Sequence, residues 1–256
     1  MKKLFACTFA LIFGFMAYAA PETPLPSGEE ILDQHLKAQG GKASLSKIHS
    51  MRIRGTIETK ESTIPFTLIR KKPNKVRLAL HYPQGNFVMA YDGTHVWKYL
   101  AGASPKAAEI VKGTEAALFK LNAPFFGYLL EPDRYDLVVK TVSWESFNGK
   151  EIYNVQVQIA DGMRLDYAID PETFRILRMT TYEGDRARNS VFSDFRPVDT
   201  LTEPFKTDVL ENGEFDSTQI IQQFDINPGV TNAVFEYPQE AQTLQARRME
   251  GSNPSA

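Results

Sequence analysis

From residue 51 onward, apolar and polar residues alternate along the chain in short runs, the pattern of β-strands with one solvated face. The alternation is most regular over 51–57, 75–82 and 153–159. The runs are separated by sequences typical of tight turns, namely Asp92-Gly93, Asn148-Gly149, Asp161-Gly162, Asp170-Pro171-Glu172-Thr173 and Asn212-Gly213. We therefore predict about eleven strands joined mostly by hairpins in an antiparallel meander, with a two-residue turn at Asp92-Gly93.

The first fifty residues contain a different pattern, which predicts a helix. Ser27 is placed as an N-cap, and Glu30 three positions later would complete a capping box. An apolar stripe follows, and Gly40-Gly41 ends the helix. A short helical turn is predicted over 44–48. The apolar stripe consists of Ile31, Leu32 and Leu36.

The strand pattern is interrupted between residues 102 and 133. Ala107 to Val111 and Glu115 to Leu121 have helical composition, while Pro124 and Gly127 argue against one continuous helix. A long antiparallel sheet must close on itself or have its apolar face covered. We predict a mainly β fold, a single open (incomplete) antiparallel β-barrel. The first helix and the segment 104–133 are expected to cover its concave face.

The extreme N-terminus has the pattern of an export signal. Lys2 and Lys3 precede an apolar run over 4–16, and Ala17-Tyr18-Ala19 supplies a small-x-small cleavage site. The alternative is a membrane anchor, but the run is shorter than the roughly 20 residues needed to span a bilayer. We expect residues 1–19 to be a signal peptide, residues 20–238 to form the barrel domain and residues 239–256 to be a polar C-terminal tail.

Removal of that signal changes the composition of the chain. It takes away the one cysteine and two of the 29 basic residues but none of the 31 acidic residues, which leaves a net charge of −4. No basic stripe stands out, so nucleic-acid binding is not expected. A cluster of basic residues is interpreted either as a solvated strand face or as a docking patch for anionic head groups or an acidic partner. It consists of Arg52, Arg54, Arg70, Lys71 and Lys72.

Motifs that would indicate enzyme chemistry are missing from the sequence. There is no G-x-S-x-G nucleophile elbow and no phosphate-binding loop. Asp161, Asp166 and Asp170 do not have the spacing of an EF-hand calcium loop. The four histidines lack metal-ligand spacing and are expected to lie at the surface or to be satisfied within the core: His35, His49, His81 and His95. We predict no metal, no cofactor and no catalytic residue.

The candidate functional residues are apolar. A dense run within 119–130 is either a plug that fills the barrel or a movable lid whose apolar face can be exchanged for lipid. The candidates in this run are Phe119, Leu121, Phe125, Phe126, Leu129 and Leu130. Trp97 and Trp144 lie in predicted strands. They are interpreted as core residues with a bonded indole N–H or as residues lining a lipid cavity.

Several turn and aromatic motifs occur in a recognisable order. They are Tyr91-Asp92-Gly93 leading to Trp97, Ile169–Thr173 leading to Arg178, Phe192–Asp199, Pro204-Phe205-Lys206 and Ile226–Gly229. In this order and spacing the chain resembles the LolA/LolB-like superfamily, specifically outer-membrane lipoprotein-sorting (lipoprotein carrier) proteins, over nearly the whole mature chain. The resemblance implies an unclosed β-barrel wrapped around helices, with an apolar cavity that holds acyl chains.

Together the export signal and the resemblance lead to an expected function. The protein is expected to be a periplasmic carrier that binds lipid or lipoprotein acyl chains without covalent chemistry. It would take them from an inner-membrane donor to an outer-membrane receiver. Two alternatives stay open: a module that docks an envelope complex without lipid cargo, and a lipid hydrolase, for which no nucleophile–base arrangement is recognisable.

Overall fold

The computed structural model describes residues 24–100, 102–103, 107–159, 162–239 and 241. The predicted signal peptide, Asp161 and most of the predicted C-terminal tail lie outside these residues. The described part contains three α-helices, α1 (Gly28–Ala38), α2 (Gly41–Ser46) and α3 (Gly113–Lys120). Short 3₁₀ helices cover Tyr128–Leu130, Pro132–Tyr135 and Asn232–Val234. No helix among these residues combines the length and apolarity needed to cross a membrane.

The strands form one antiparallel sheet of thirteen. In chain order they are β1 (Ser50–Thr59), β2 (Thr63–Lys71), β3 (Lys75–Tyr82), β4 (Gly85–Tyr91), β5 (Val96–Tyr99), β6 (Glu109–Val111), β7 (Val138–Phe147), β8 (Lys150–Gln158), β9 (Arg164–Ile169), β10 (Ile176–Glu183), β11 (Arg186–Val198), β12 (Leu201–Glu211) and β13 (Glu214–Ile226).

The strand order explains why the barrel is open. It runs β6-β5-β4-β3-β2-β1-β13-β12-β11-β10-β9-β8-β7, so the short strand β6 and strand β7 are the two edges. All paired strands are consecutive along the chain except β1 and β13, whose pairing joins the two halves of the sheet, while the consecutive strands β6 and β7 do not pair. The predicted open, mainly β barrel is therefore confirmed.

Two local predictions are wrong. Part of the segment 107–111, predicted as helical, forms β6, because Val96 to Lys98 present an unpaired strand edge with which Glu109 to Val111 pair. The turn at Asp92-Gly93 is a four-residue loop, since Tyr91 and Val96 form the last strand pair. The Asp92 carboxylate accepts hydrogen bonds from the backbone N–H groups of residues 94 and 95, which stabilises the longer loop.

Other local predictions are confirmed. The Asn148-Gly149 and Asn212-Gly213 turns are two-residue hairpins with both residues at positive φ, which is the type I′ geometry that favours Asn-Gly. At the start of α1, the Ser27 hydroxyl accepts from the Glu30 N–H, and the Glu30 carboxylate accepts from the Ser27 N–H at 2.7 Å. This capping box fixes where α1 begins.

The two faces of the sheet are covered by different parts of the chain. On the concave face, Ile31 of α1 packs with Tyr128, Leu129 and buried side chains of β8 and β9. Residues 232–239 and Ala241 lie instead against the outer face of β3–β5, where Phe235 is fully buried. The first helix and the segment before β7 therefore cover the inside of the barrel, as predicted.

Candidate functional site

A cavity of about 270 Å³ lies between the concave face of the sheet and the segment over 113–135, which we call the inner segment. Strands from both halves of the sheet contribute to its wall, from β1 and β2 on one side to β9–β13 on the other. Most of the lining side chains are apolar. They include Ile53, Leu68, Ile176, Met179, Phe192, Phe195, Ile221 and Phe224. Most of the wall can therefore contact an apolar group favourably.

The conformation of the inner segment follows from its sequence. Helix α3 ends at Lys120, and Pro124 and Gly127 prevent its continuation. Gly127 has a φ of 88° and leads into the 3₁₀ turn Tyr128–Leu130. The result is a compact, non-helical stretch that presents several large apolar side chains to the barrel.

Arg70 connects the inner segment to the sheet. It lies on β2 two residues after Leu68, so both side chains point into the barrel. Its Nη1 donates a hydrogen bond to the backbone carbonyl oxygen of Phe125 at 3.3 Å. Burial lowers the pKa of the guanidinium, and the nearby Glu203 and Tyr135 oppose that effect. The inner segment is thus held to the wall by a cation whose remaining surface faces the cavity.

Glu203 is the second ionisable group in this wall. It lies on β12, and enclosure within the barrel raises the pKa of its carboxyl to about 7, although the charge of Arg70 acts in the opposite direction. Within the described residues the two groups are not in direct ion-pair contact. The carboxyl is therefore poised near neutral pH between its charged and uncharged forms.

His35 is the other titratable side chain that lines the cavity beside these two, apart from tyrosines. It is 2% exposed, and its Nδ1 lies 2.7 Å from the backbone oxygen of Phe174. Burial lowers the pKa of the imidazole, so it is neutral at pH 7 and Nδ1 is the donor in this contact. It is a satisfied core histidine, one of the two outcomes that the sequence leaves open.

Four of the eight predicted apolar site residues line the cavity. These are Leu121, Phe126, Leu129 and Leu130. Phe125 is buried against Leu45, Ile48 and Leu201, and its ring meets that of Phe126 edge-on at 4.7 Å. Phe119 is buried in a neighbouring cluster with Val96 and Val111. These two side chains anchor the inner segment, while the other four face the empty space.

The two tryptophans lie apart from the described cavity lining. Trp97 is on the outer face, 3% exposed, and its indole N–H donates to the backbone oxygen of Phe235 at 2.7 Å. Trp144 is on the edge strand β7, 37% exposed, with its ring 4.6 Å from that of Tyr153. Trp97 thus fastens the stretch around Phe235 to the sheet, and Trp144 covers one edge of the barrel.

Sequence reasoning missed the polar part of the wall. It grouped Arg70 with four surface cations, although the Leu68–Arg70 spacing places both on one strand face. Arg54 does lie on the solvated face, where it pairs with Asp225 at 3.2 Å. Glu203 gave no signal, because its neighbours Thr202 and Pro204 do not show the alternation of a half-buried strand. No trio of His, Cys, Asp or Glu side chains suited to a metal occurs in the described part of the chain.

Comparisons of the sequence with protein-family models and with curated proteins give no match. The fold does match solved structures. A DUF1329 family protein from Desulfovibrio piger superimposes with a TM-score of 0.58 at 14% identity, over 82% of this chain and 97% of that one.

Two further structures carry names related to lipoprotein sorting. A LolA superfamily protein from Nitrosomonas europaea matches with a TM-score of 0.57 at 11% identity, over 83% of this chain and 98% of that chain. A putative outer membrane lipoprotein-sorting protein domain from Vibrio parahaemolyticus matches with a TM-score of 0.55 at 11% identity, over 83% of this chain and 97% of that chain. The predicted resemblance is therefore confirmed at the level of the fold: the chain shares its fold with these structures, one of which is a LolA superfamily protein.

Proposed function

We propose that this protein is a carrier that holds an acyl chain of a lipid or lipoprotein in the cavity, without covalent chemistry. The observation that carries the proposal is the mostly apolar space enclosed between the sheet and the inner segment. At about 270 Å³ it lies just below the range of about 300–1,000 Å³ that ligand pockets span. A structural neighbour described as a lipoprotein-sorting domain supports the same reading.

Transfer of an acyl chain needs shelter from water rather than catalysis. Burial of a methylene group contributes about 0.8 kcal/mol, so exposure of a sixteen-carbon chain costs on the order of 10 kcal/mol. A concave apolar wall removes most of that barrier. Release then requires a receiver with comparable affinity, since the carrier would otherwise keep its cargo. In this proposal the exchange takes place between the inner and outer membranes of a bacterial envelope, which the export-signal pattern of the sequence supports.

The inner segment provides the entrance in this proposal. Its apolar side chains Leu121, Phe126 and Leu129 occupy the space beside the cavity. Its polar attachments to the sheet are side-chain contacts, among them the Arg70–Phe125 hydrogen bond and the Lys98–Glu115 ion pair. Displacement of the segment would enlarge the cavity, and an incoming acyl chain would replace the apolar contacts that are lost. Plug and lid are then two states of one segment.

An aromatic ring placed in the cavity should block the uptake of an acyl chain. Leu68 is partly exposed and faces the cavity, so Leu68→Trp puts an indole into the space that the acyl chain would use. We expect the wild type to bind a fluorescent fatty-acyl probe saturably, one per chain. The variant should bind at least about tenfold more weakly. Fluorescence titration of the delipidated protein measures both.

Thr141→Trp is the matched control, because it adds the same ring at an exposed position on β7. It should bind the probe as the wild type does. Overpacking can cost about 1–3 kcal/mol, so the unfolding midpoint of Leu68→Trp is measured in parallel. Wild-type affinity in a folded Leu68→Trp variant would contradict the proposal, as would a wild type that takes up no probe.

A further inference from the structure

The wall of the cavity contains a small polar group formed by three elements of the fold. Gln39 follows α1, Arg70 lies on β2 and Glu203 lies near the start of β12, and all three line the same cavity. The Gln39 side chain reaches β12 itself, where its Nε2 donates to the backbone oxygen of Thr202 at 3.5 Å. Three parts of the chain distant in sequence therefore converge on one side of a mostly apolar space.

Two members of this group have buried polar atoms that the protein does not satisfy. The Oε1 of Gln39 and the Nε of Arg70 are buried and have no hydrogen-bond partner in the structure. Arg70 uses Nη1 for the Phe125 oxygen, which leaves Nε aimed elsewhere. The Glu203 carboxyl differs from these two: no hydrogen bond to it is found among the described residues, but the side chain is only partly buried and its oxygens are not among the buried unpaired atoms. Buried polar atoms in folded proteins are nearly always paired, so a cluster of unpaired ones requires an explanation.

The unpaired atoms define the chemistry of a complementary ligand. Arg70 Nε is a donor and needs an acceptor, whereas Gln39 Oε1 is an acceptor and needs a donor. The charges of Arg70 and ionised Glu203 are opposite and offset each other, so a head group without net charge fits best. A group such as a hydroxyl or an amide both donates and accepts. The apolar remainder of the wall would take the attached chain.

We propose that Gln39, Arg70 and Glu203 form a recognition site for the polar end of an acyl lipid whose uncharged head group both donates and accepts hydrogen bonds. The inference rests on the proposed carrier function and adds a selectivity to it. A ligand that lacks the donor leaves Gln39 Oε1 unpaired in a desolvated site, which is the most effective way to reject it. The site thereby orients the chain as well as selecting it.

Three sixteen-carbon ligands separate head-group chemistry from chain burial. Monopalmitoylglycerol donates and accepts, methyl palmitate only accepts, and palmitate is anionic. We expect the delipidated full chain at pH 8 to bind monopalmitoylglycerol about tenfold more tightly than methyl palmitate, and more tightly than palmitate. Competition against a fluorescent acyl probe measures all three affinities.

Gln39→Leu should reduce the preference for monopalmitoylglycerol over methyl palmitate to about twofold or less, with methyl palmitate affinity unchanged. Glu203→Gln keeps a group that hydrogen-bonds and should keep the preference. Thr141→Val is the control, because it removes a hydroxyl at an exposed position on β7 that is not among the described lining residues of the cavity. It should leave all affinities as in the wild type.

The outcomes distinguish the two proposals. Equal wild-type affinity for monopalmitoylglycerol and methyl palmitate, or tightest binding of palmitate, overturns the head-group site and leaves the carrier standing. A Gln39→Leu variant that loses both neutral ligands equally overturns the site as well, because a general loss of structure explains it. Failure of the wild type to bind any of the three overturns the carrier function itself.

Discussion

Gly55→Ala should destabilise the protein by at least about 3 kcal/mol. A Cβ at residue 55 would lie 2.0 Å from the backbone oxygen of Ile220 on β13, and a backbone atom cannot move aside as a side chain can. The position coincides with a bulge, since the register of β1 with β13 shifts between Arg54 and Gly55. The β1–β13 pair joins the two halves of the sheet, so its separation opens the whole barrel.

Urea unfolding followed by circular dichroism measures this effect. Thr56→Ala, at the next position of the same strand, is the matched control and should cost less than about 1 kcal/mol. The Gly55→Ala variant is also expected to lose binding of the acyl probe, because the cavity is built from strands of both halves of the sheet. A Gly55→Ala protein as stable as Thr56→Ala would show that β1 and β13 do not approach this closely.

Glu203→Gln should remove a pH dependence from the stability of the ligand-free protein. The folded-state pKa of Glu203 is about 7, raised from 4.5 by burial, so the folded state holds this proton more tightly than the unfolded chain. The free energy of unfolding therefore falls as pH rises from about 4.5 to 7. The full shift corresponds to a loss of about 3 kcal/mol. Glutamine stays uncharged at every pH and lacks this loss.

The variant should thus match the wild type near pH 4 and exceed its stability by about 2–3 kcal/mol at pH 8. Unfolding midpoints between pH 4 and 8 test the difference. Glu61→Gln, an exposed position in the turn between β1 and β2, serves as control and should follow the wild-type curve. Parallel curves for the wild type and Glu203→Gln would mean that the Glu203 carboxyl is solvated rather than enclosed.

Most of the fold could be predicted from the sequence, because the patterns that indicate its elements are local. Period-two alternation, Asn-Gly turns and the Ser27–Glu30 capping box each depend on residues a few positions apart. The edge strand β6 was missed for the opposite reason. Glu109 to Val111 form a strand because β5 offers an unpaired edge, and this long-range pairing overrides a helical composition.

The candidate site could be predicted from the sequence only in part. An apolar run over 119–130 indicated the inner segment, and four of its six candidates line the cavity. The division between lining and anchoring side chains depends on how the segment folds at Pro124 and Gly127, which periodicity does not specify. The group of Gln39, Arg70 and Glu203 has no sequence signature, because its members are brought together by the pairing of β1 with β13 and the return of α1.

Native mass spectrometry of the protein taken from its own cells without detergent or denaturant tests the central claim most directly. If the cavity carries an acyl chain, a fraction of the wild-type molecules should retain one noncovalent ligand, released by collisional activation and identified as an acyl lipid or acylated peptide. Leu68→Trp should be recovered without it, and Thr141→Trp with it. Wild-type protein recovered only at its own mass, or bound to one stoichiometric protein and no lipid, would contradict the account.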